Sequence, residues 1–279
     1  MIAAELLKQT HRPRAWVTLA VIAAVSVLLA LVIGLTRPGL PERIGDFGAV
    51  VPSTSGLTMP LVALTAAVVF LLPLGVAVFA GEAFAGEAAW GSLRYLLARP
   101  VSRSRVFASK AAIAAGFSVA AVVVVSASSL LAGLAAFGWR PLTVVDLEHT
   151  TAFSIATATY SPGAALGLLW LATAIVAGTM ASTFAFGLFL SALTRTPFSA
   201  TAGAVGFGLV SRALDNVPGL SALSPWLPMT DAGTTSWTAL FTQHPNLGPL
   251  EQQAIVQAIY TAAFVAAAWL RFTRADVLS

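Results

Sequence analysis

The chain has no cysteine, which excludes disulfides and thiolate-bound metals and leaves the compartment open. Charge is scarce too. Acidic and basic residues make up 9% of the 279 residues, against about 25% in soluble domains. So few charges cannot cover a soluble protein of this length, and 58% of the chain is hydrophobic. Lysine occurs twice, as Lys8 and Lys110, preceded by Leu7 and Ser109. A phosphate-binding loop needs Gly-Lys followed by Ser or Thr, so that backbone N–H groups wrap a phosphate and the lysine reaches it. That loop is absent, so the chain is expected not to be an ATPase of that kind. The histidines, His11, His149 and His244, are isolated, with no HExxH or similar pair. Asp146, Glu148 and His149 read as a solvated outer loop. No metal site and no catalytic nucleophile–base pair is expected. The net charge of +4 would suggest nucleic acid in a soluble chain. Here it reads as membrane orientation, with no nucleic-acid partner.

What the chain does have is long apolar runs. About 20 apolar residues cross the hydrocarbon core as a helix. Six segments qualify, at about 16–35, 57–80, 106–137, 164–193, 198–211 and 253–270. The uncharged run Ala15 to Thr36 has 22 residues, longer than a signal-peptide core of about 7–15, so it reads as a retained first span. The second segment contains Pro60 and Pro73. The fifth is short, with 16 residues between Arg195 and Arg212. Those arginines are expected to snorkel outward, and Gly203, Gly206 and Gly208 allow close helix approach. With both termini in the cytosol, Lys8, Arg12, Arg14, Arg94, Arg99, Arg103, Arg105, Lys110, Arg195, Arg271 and Arg274 fall inside. Arg37, Arg43, Arg140 and Arg212 fall outside, a positive-inside bias. Residues 2–10 read as an interfacial helix. The apolar, proline-broken stretch from Asp215 to Glu251 reads as short re-entrant helices packed on protein. The expected fold is an all-α polytopic membrane protein forming one transmembrane domain over residues 1–279. It has six spans, an N-terminal surface helix and re-entrant helices before the sixth span.

No proposed span carries a charge in its middle. An ion-coupled secondary transporter, the alternative function, usually needs one. Hydroxyls and amides there, such as Ser118, Ser126, Thr173, Thr179 and Gln257, are expected to bond backbone or neighbouring helices. No inverted repeat is visible.

Between the second and third spans lies a charged cytosolic segment, 81–105, containing GEAFAGEAAWGSLRYLLARPVSRSR. Phe84, Ala88 and Gly91 share a helical face, with Trp90, Leu93 and Leu97 on the next. Glu82 and Glu87 come early and Arg94 and Arg99 late, which suits a separate surface helix of about four turns. Pro100 ends it, and Ser102 or Ser104 can cap the next helix. Glu87, Gly91, Ser92, Leu93, Leu96, Leu97, Pro100, Val101, Ser102, Arg103 and Lys110 stand as in the membrane subunits of type-2 ABC exporters, which this segment resembles. The resemblance implies a coupling helix docked on a separate ABC ATPase subunit, in two copies, which would bind ATP and Mg; this chain itself holds no cofactor. It implies ATPase contact at Glu82, Phe84, Glu87, Gly91, Arg94, Leu97, Arg99, Pro100 and Arg103. Trp90 is left open between that contact and the membrane interface. A second permease chain, the same or different, would complete a path for lipophilic or amphipathic cargo (drug, lipid or peptide) across the cytoplasmic membrane. Phe70, Phe79 and Phe207 are candidates for its lining.

Overall fold

Uncharged stretches of Ala, Leu and Val can satisfy their backbone in an apolar medium only within themselves, and so become helices. A computed structural model of the chain describes residues 6–7, 9–11, 13–36, 41–44, 49–52, 55–89, 91, 102–151, 154–217, 219–220, 222–242 and 247–274. The helices are α1 (Pro13–Thr36), α2 (Thr58–Val69), α3 (Leu71–Ala89), α4 (Arg103–Phe137), α5 (Pro162–Thr179), α6 (Ala181–Leu193), α7 (Pro197–Asp215), α8 (Asp231–Thr235) and α9 (Gly248–Arg274). The strands are β1 (Pro41–Ile44), β2 (Ala49–Pro52), β3 (Leu142–Thr151) and β4 (Ser154–Tyr160). Leu71–Ala89, Arg103–Phe137, Pro162–Leu193 and Gly248–Arg274 are long and apolar enough to cross a membrane. Pro13–Leu29 and Thr58–Val69 are shorter apolar helices. The chain is a multi-pass membrane protein.

Two of the expected segments are broken. The second splits at Phe70, whose φ of −143° leaves the helical region. Pro73 explains the place: it has no N–H to give to the carbonyl four residues back, and it is tolerated only in the first turn of a new helix. The fourth segment breaks at Met180. Gln257 of α9 bridges this break, accepting from the Ser182 backbone N–H at 3.0 Å and donating to the Pro228 carbonyl at 2.6 Å. Several polar groups in the spans bond as expected, although the buried hydroxyls of Ser182 and Thr183 make no hydrogen bond. Ser126 and Thr173 bond each other at 2.8 Å, while Ser118 and Thr179 bond their own helices.

Three points correct the sequence reading. Arg212 does not snorkel, because α7 runs on to Asp215. Its guanidinium pairs with Asp231 and donates to Thr234 Oγ1 at 3.1 Å and the Val68 carbonyl at 3.4 Å. The fold is that of an all-α membrane protein with one addition that was not expected: four strands form an antiparallel sheet in the order β1-β2-β3-β4. Asp146, Glu148 and His149 lie in β3 rather than in a loop, and no cluster able to hold a metal occurs among the described residues. β3 is seated on the bundle by Leu142 and Val144, which alternate inward and are fully buried. Of the stretch before α9, the 3₁₀ turn Ser236–Phe241 after α8 packs on protein, while the turn Ser224–Trp226 before it has no buried residue. Met229, Trp237 and Phe241 are all 0% exposed.

α3 is central, packing on α4, α6 and α7. Small side chains make this possible. A Cβ on Gly187 of α6 would sit 2.9 Å from the Ala80 Cβ and 3.2 Å from the Ala204 Cβ, so three helices meet at near-backbone contact.

Candidate functional site at the end of the bundle opposite the sheet

α4 leads from the sheet to the other end of the bundle, where α3 ends and α4 begins on either side of residues 92–101. Nothing between Ala80 and Ala89 breaks a helix, and Ala80, Gly81, Ala83, Ala85, Gly86 and Ala88 are small. α3 therefore runs on unbroken to Ala89. The expected separate surface helix beginning at Glu82 is corrected: Glu82–Ala89 is the last part of the second segment's helix. The chain leaves it at Gly91, whose φ of 68° is a left-handed conformation suited to glycine.

This changes the surroundings of Glu87. It lies in the last turn of α3, where helix carbonyls disfavour a negative charge. Its carboxylate is inside the protein, 2.7 Å from the Lys110 ammonium of α4, with side-chain exposures of 2% and 3%. Glu82 is half-buried and 3.6 Å from exposed Arg14. A cavity of about 20 Å³ lies among Gln9, Glu82, Glu87 and Lys110, room for roughly one water.

Phe84 is also internal. It stacks on Phe107 at 5.3 Å and tilts onto Phe272 at 4.7 Å, locking α3, α4 and α9 together. Arg103 donates to the Thr273 carbonyl at 3.0 Å, and Trp269 Nε1 donates to Ser104 Oγ at 3.2 Å. Ser102 holds the N-cap position of α4 without a side-chain cap bond. The surface available to a partner near the described ends of this segment includes Gly91, Ala89, Arg105 and Ala108, all exposed. Trp90, Arg94, Leu97, Arg99 and Pro100 lie outside the described residues.

Nothing in the sequence signals a side-chain contact made to the backbone of α3. The hydroxyl of Ser191, fully inside the protein on α6, donates to the Gly81 carbonyl at 2.7 Å. It accepts from the backbone N–H groups of Phe84 and Ala85 at 3.0 and 2.9 Å. A side chain thus enters the backbone ladder of α3, a recognised cause of helix bending. The opposite side of Gly81 meets α7, where an added Cβ would come within 2.6 Å of Thr201 Oγ1 and 3.0 Å of its backbone nitrogen.

The three phenylalanines proposed for a cargo path do not share a surface. Phe79 is 2% exposed and packs on Phe117 at 5.5 Å. Phe207 packs on Phe186 at 4.7 Å and Phe264 at 5.6 Å. Phe70, at the helix break, is 51% exposed. A cavity of about 490 Å³ lies elsewhere, between the α5–α6 break and α9, lined by Ile175, Gly178, Thr179, Leu250, Gln253 and Thr261 among others.

No curated protein matches the chain. A family model described as ABC-2 family transporter protein matches residues 1–195, which takes in α1 to α6, the sheet, and both flanks of the charged segment. The chain belongs to the ABC-2 family of transporter proteins, as a transmembrane permease component.

Proposed function

We propose that the chain is the membrane-spanning subunit of an ATP-driven ABC exporter, forming half of the path for a lipophilic or amphipathic cargo. A separate ABC ATPase subunit, expected in two copies, binds ATP and Mg and supplies the energy. The observation that carries this reading is the family match over residues 1–195. The geometry supports it: the end of α3 and the start of α4, which flank residues 92–101 in the sequence, lie at one end of the bundle and carry exposed residues. Six crossings follow when α2 and α3 count as one span, α5 and α6 as another, and α7 as a third beside α1, α4 and α9. Both termini then lie in the cytosol, and the membrane is the cytoplasmic one.

Contact with the ATPase falls to Gly91, Arg94, Leu97, Arg99 and Pro100, with Arg103 at the edge. Phe84 and Glu87 act from behind, holding the segment's base. Closure of the ATPase pair on ATP would move this segment in each of two permease chains facing one another. Rigid transfer of that motion opens one side of the path and closes the other. The apolar cavity beside the α5–α6 break supports lipophilic cargo, since its volume is within the ligand-site range of roughly 300–1,000 Å³.

The test is to purify the chain with its ATPase and reconstitute both in vesicles. Arg94→Glu with Arg99→Glu should lower ATPase copurification at least tenfold while membrane insertion stays normal. Lipophilic compounds should stimulate ATP hydrolysis, and filling the cavity with Gly178→Phe should remove that stimulation. Stimulation by hydrophilic compounds alone would reject the cargo class, and undiminished copurification would reject the docking segment.

A further inference from the structure

Two observations frame the base of the segment between α3 and α4. First, the Ser191 hydroxyl occupies the α3 ladder at Gly81–Ala85, bonding one carbonyl and two N–H groups there. Second, beyond that point the last turn of α3 is joined to α4 by the Glu87–Lys110 pair, buried on both sides, and by Phe84 stacked on Phe107. On the near side of Gly81, α3 is packed against α6 and α7 through Ala80, Gly187 and Ala204. Both parts of α3 touch α4, the near part through Phe79 against Phe117, but the buried ion pair lies only in the far part, and the Ser191 contact lies between it and the close packing at Ala80.

We infer that Gly81–Ala85 is a hinge kept open by Ser191, and that the Glu87–Lys110 pair locks the short arm beyond it to α4, so that the arm and α4 move together relative to the rest of α3. Ser191, Glu87 and Lys110 are positioning residues: they touch neither nucleotide nor cargo. A hydroxyl bonded to these backbone groups lets the helix change direction there without leaving them unpaired in a water-poor interior. A buried ion pair suits a lock rather than a sliding contact, because separating the charges strands each of them away from water. This inference rests on the reading of residues 92–101 as the ATPase-docking segment, and it adds which helix receives the motion.

The absence of cysteine in this chain makes pairwise spin labelling direct. Cysteines placed at exposed Ala89 and Ala108 report across the lock, and cysteines at Ala89 and half-exposed Val69 report across the hinge, with a Val69–Val78 pair as the control for movement at the Phe70 break. The complex with its ATPase would be measured in phosphatidylethanolamine–phosphatidylglycerol vesicles, without nucleotide and with ATP plus vanadate. The expected result is an unchanged Ala89–Ala108 distance and an Ala89–Val69 distance that shifts by several ångströms. Glu87→Lys and Lys110→Glu should each broaden the Ala89–Ala108 distribution and raise ATP hydrolysis unresponsive to cargo, and the double swap should restore both. Ser191→Ala, the mildest change, should reduce the Ala89–Val69 shift by at least half. A larger change across Ala89–Ala108 than across Ala89–Val69, or a full shift in Ser191→Ala, would overturn the hinge and lock while leaving ATPase docking intact. Failure of the unmutated chain to copurify with an ATPase would overturn the docking reading, and this inference with it.

Discussion

Lys110 and Glu87 are 23 positions apart in the sequence, and each alone looks like a surface charge near a membrane. Their pairing depends on α3 and α4 lying side by side, which no local pattern states. Removing one partner leaves the other charged and enclosed, so Lys110→Met should lower stability by about 3–5 kcal/mol, read as a shift in thermal unfolding of the detergent-solubilised protein. Gly81 fails differently. Gly81→Val drives a branched side chain into Thr201 and should cost about 1–3 kcal/mol by overpacking, with the α3–α7 separation widened. The sequence did show that charged and aromatic residues gather at 81–110, and the structure places the buried Glu87–Lys110 pair there. It did not show that Phe84 and Glu87 face inward. Helical periodicity gives the face on which a residue lies, and only the neighbouring helices decide what that face meets.

At the scale of elements, the apolar runs were the legible part. The segments at 106–137 and 253–270 are helices, the first starting three residues earlier at Arg103 and the second extended at both ends to Gly248–Arg274, because helix geometry continues past the apolar stretch into polar ends. The sheet was also written in the sequence, as the β-branched alternation Thr143-Val144-Val145 and Ser154-Ile155-Ala156-Thr157-Ala158-Thr159-Tyr160. Hydropathy alone does not separate such strands from the loops between membrane spans. The interruption at Met180 had no such signal, since no proline or charge marks it. What holds it is Gln257, from another helix. Gln257→Leu removes the acceptor for the Ser182 N–H and a donor to the Pro228 carbonyl. The cost should be about 1–3 kcal/mol, and the chain around residues 218–230 should become faster to proteolyse. Arg212→Leu should loosen the same region by removing the pair with Asp231, detected as faster cleavage between α7 and α9 than in the unmutated protein.

For the whole molecule, orientation is the property on which the others depend. In intact cells an impermeant thiol reagent should label Trp139→Cys, exposed beside the sheet, and should reach Ala108→Cys only after permeabilisation. The reverse pattern would turn the molecule over and place residues 92–101 out of reach of ATP. α4 has 35 residues in one uninterrupted helix, roughly 52 Å long, against a hydrocarbon core of about 30 Å. It begins beside Arg103 at one face and ends within five residues of β3 at the other. A strut without a joint cannot tilt at its foot while its head is held. An antibody fragment clamped across strands 142–160 from outside the cell should therefore stall a motor working on the inside, slowing ATP turnover without approaching the nucleotide.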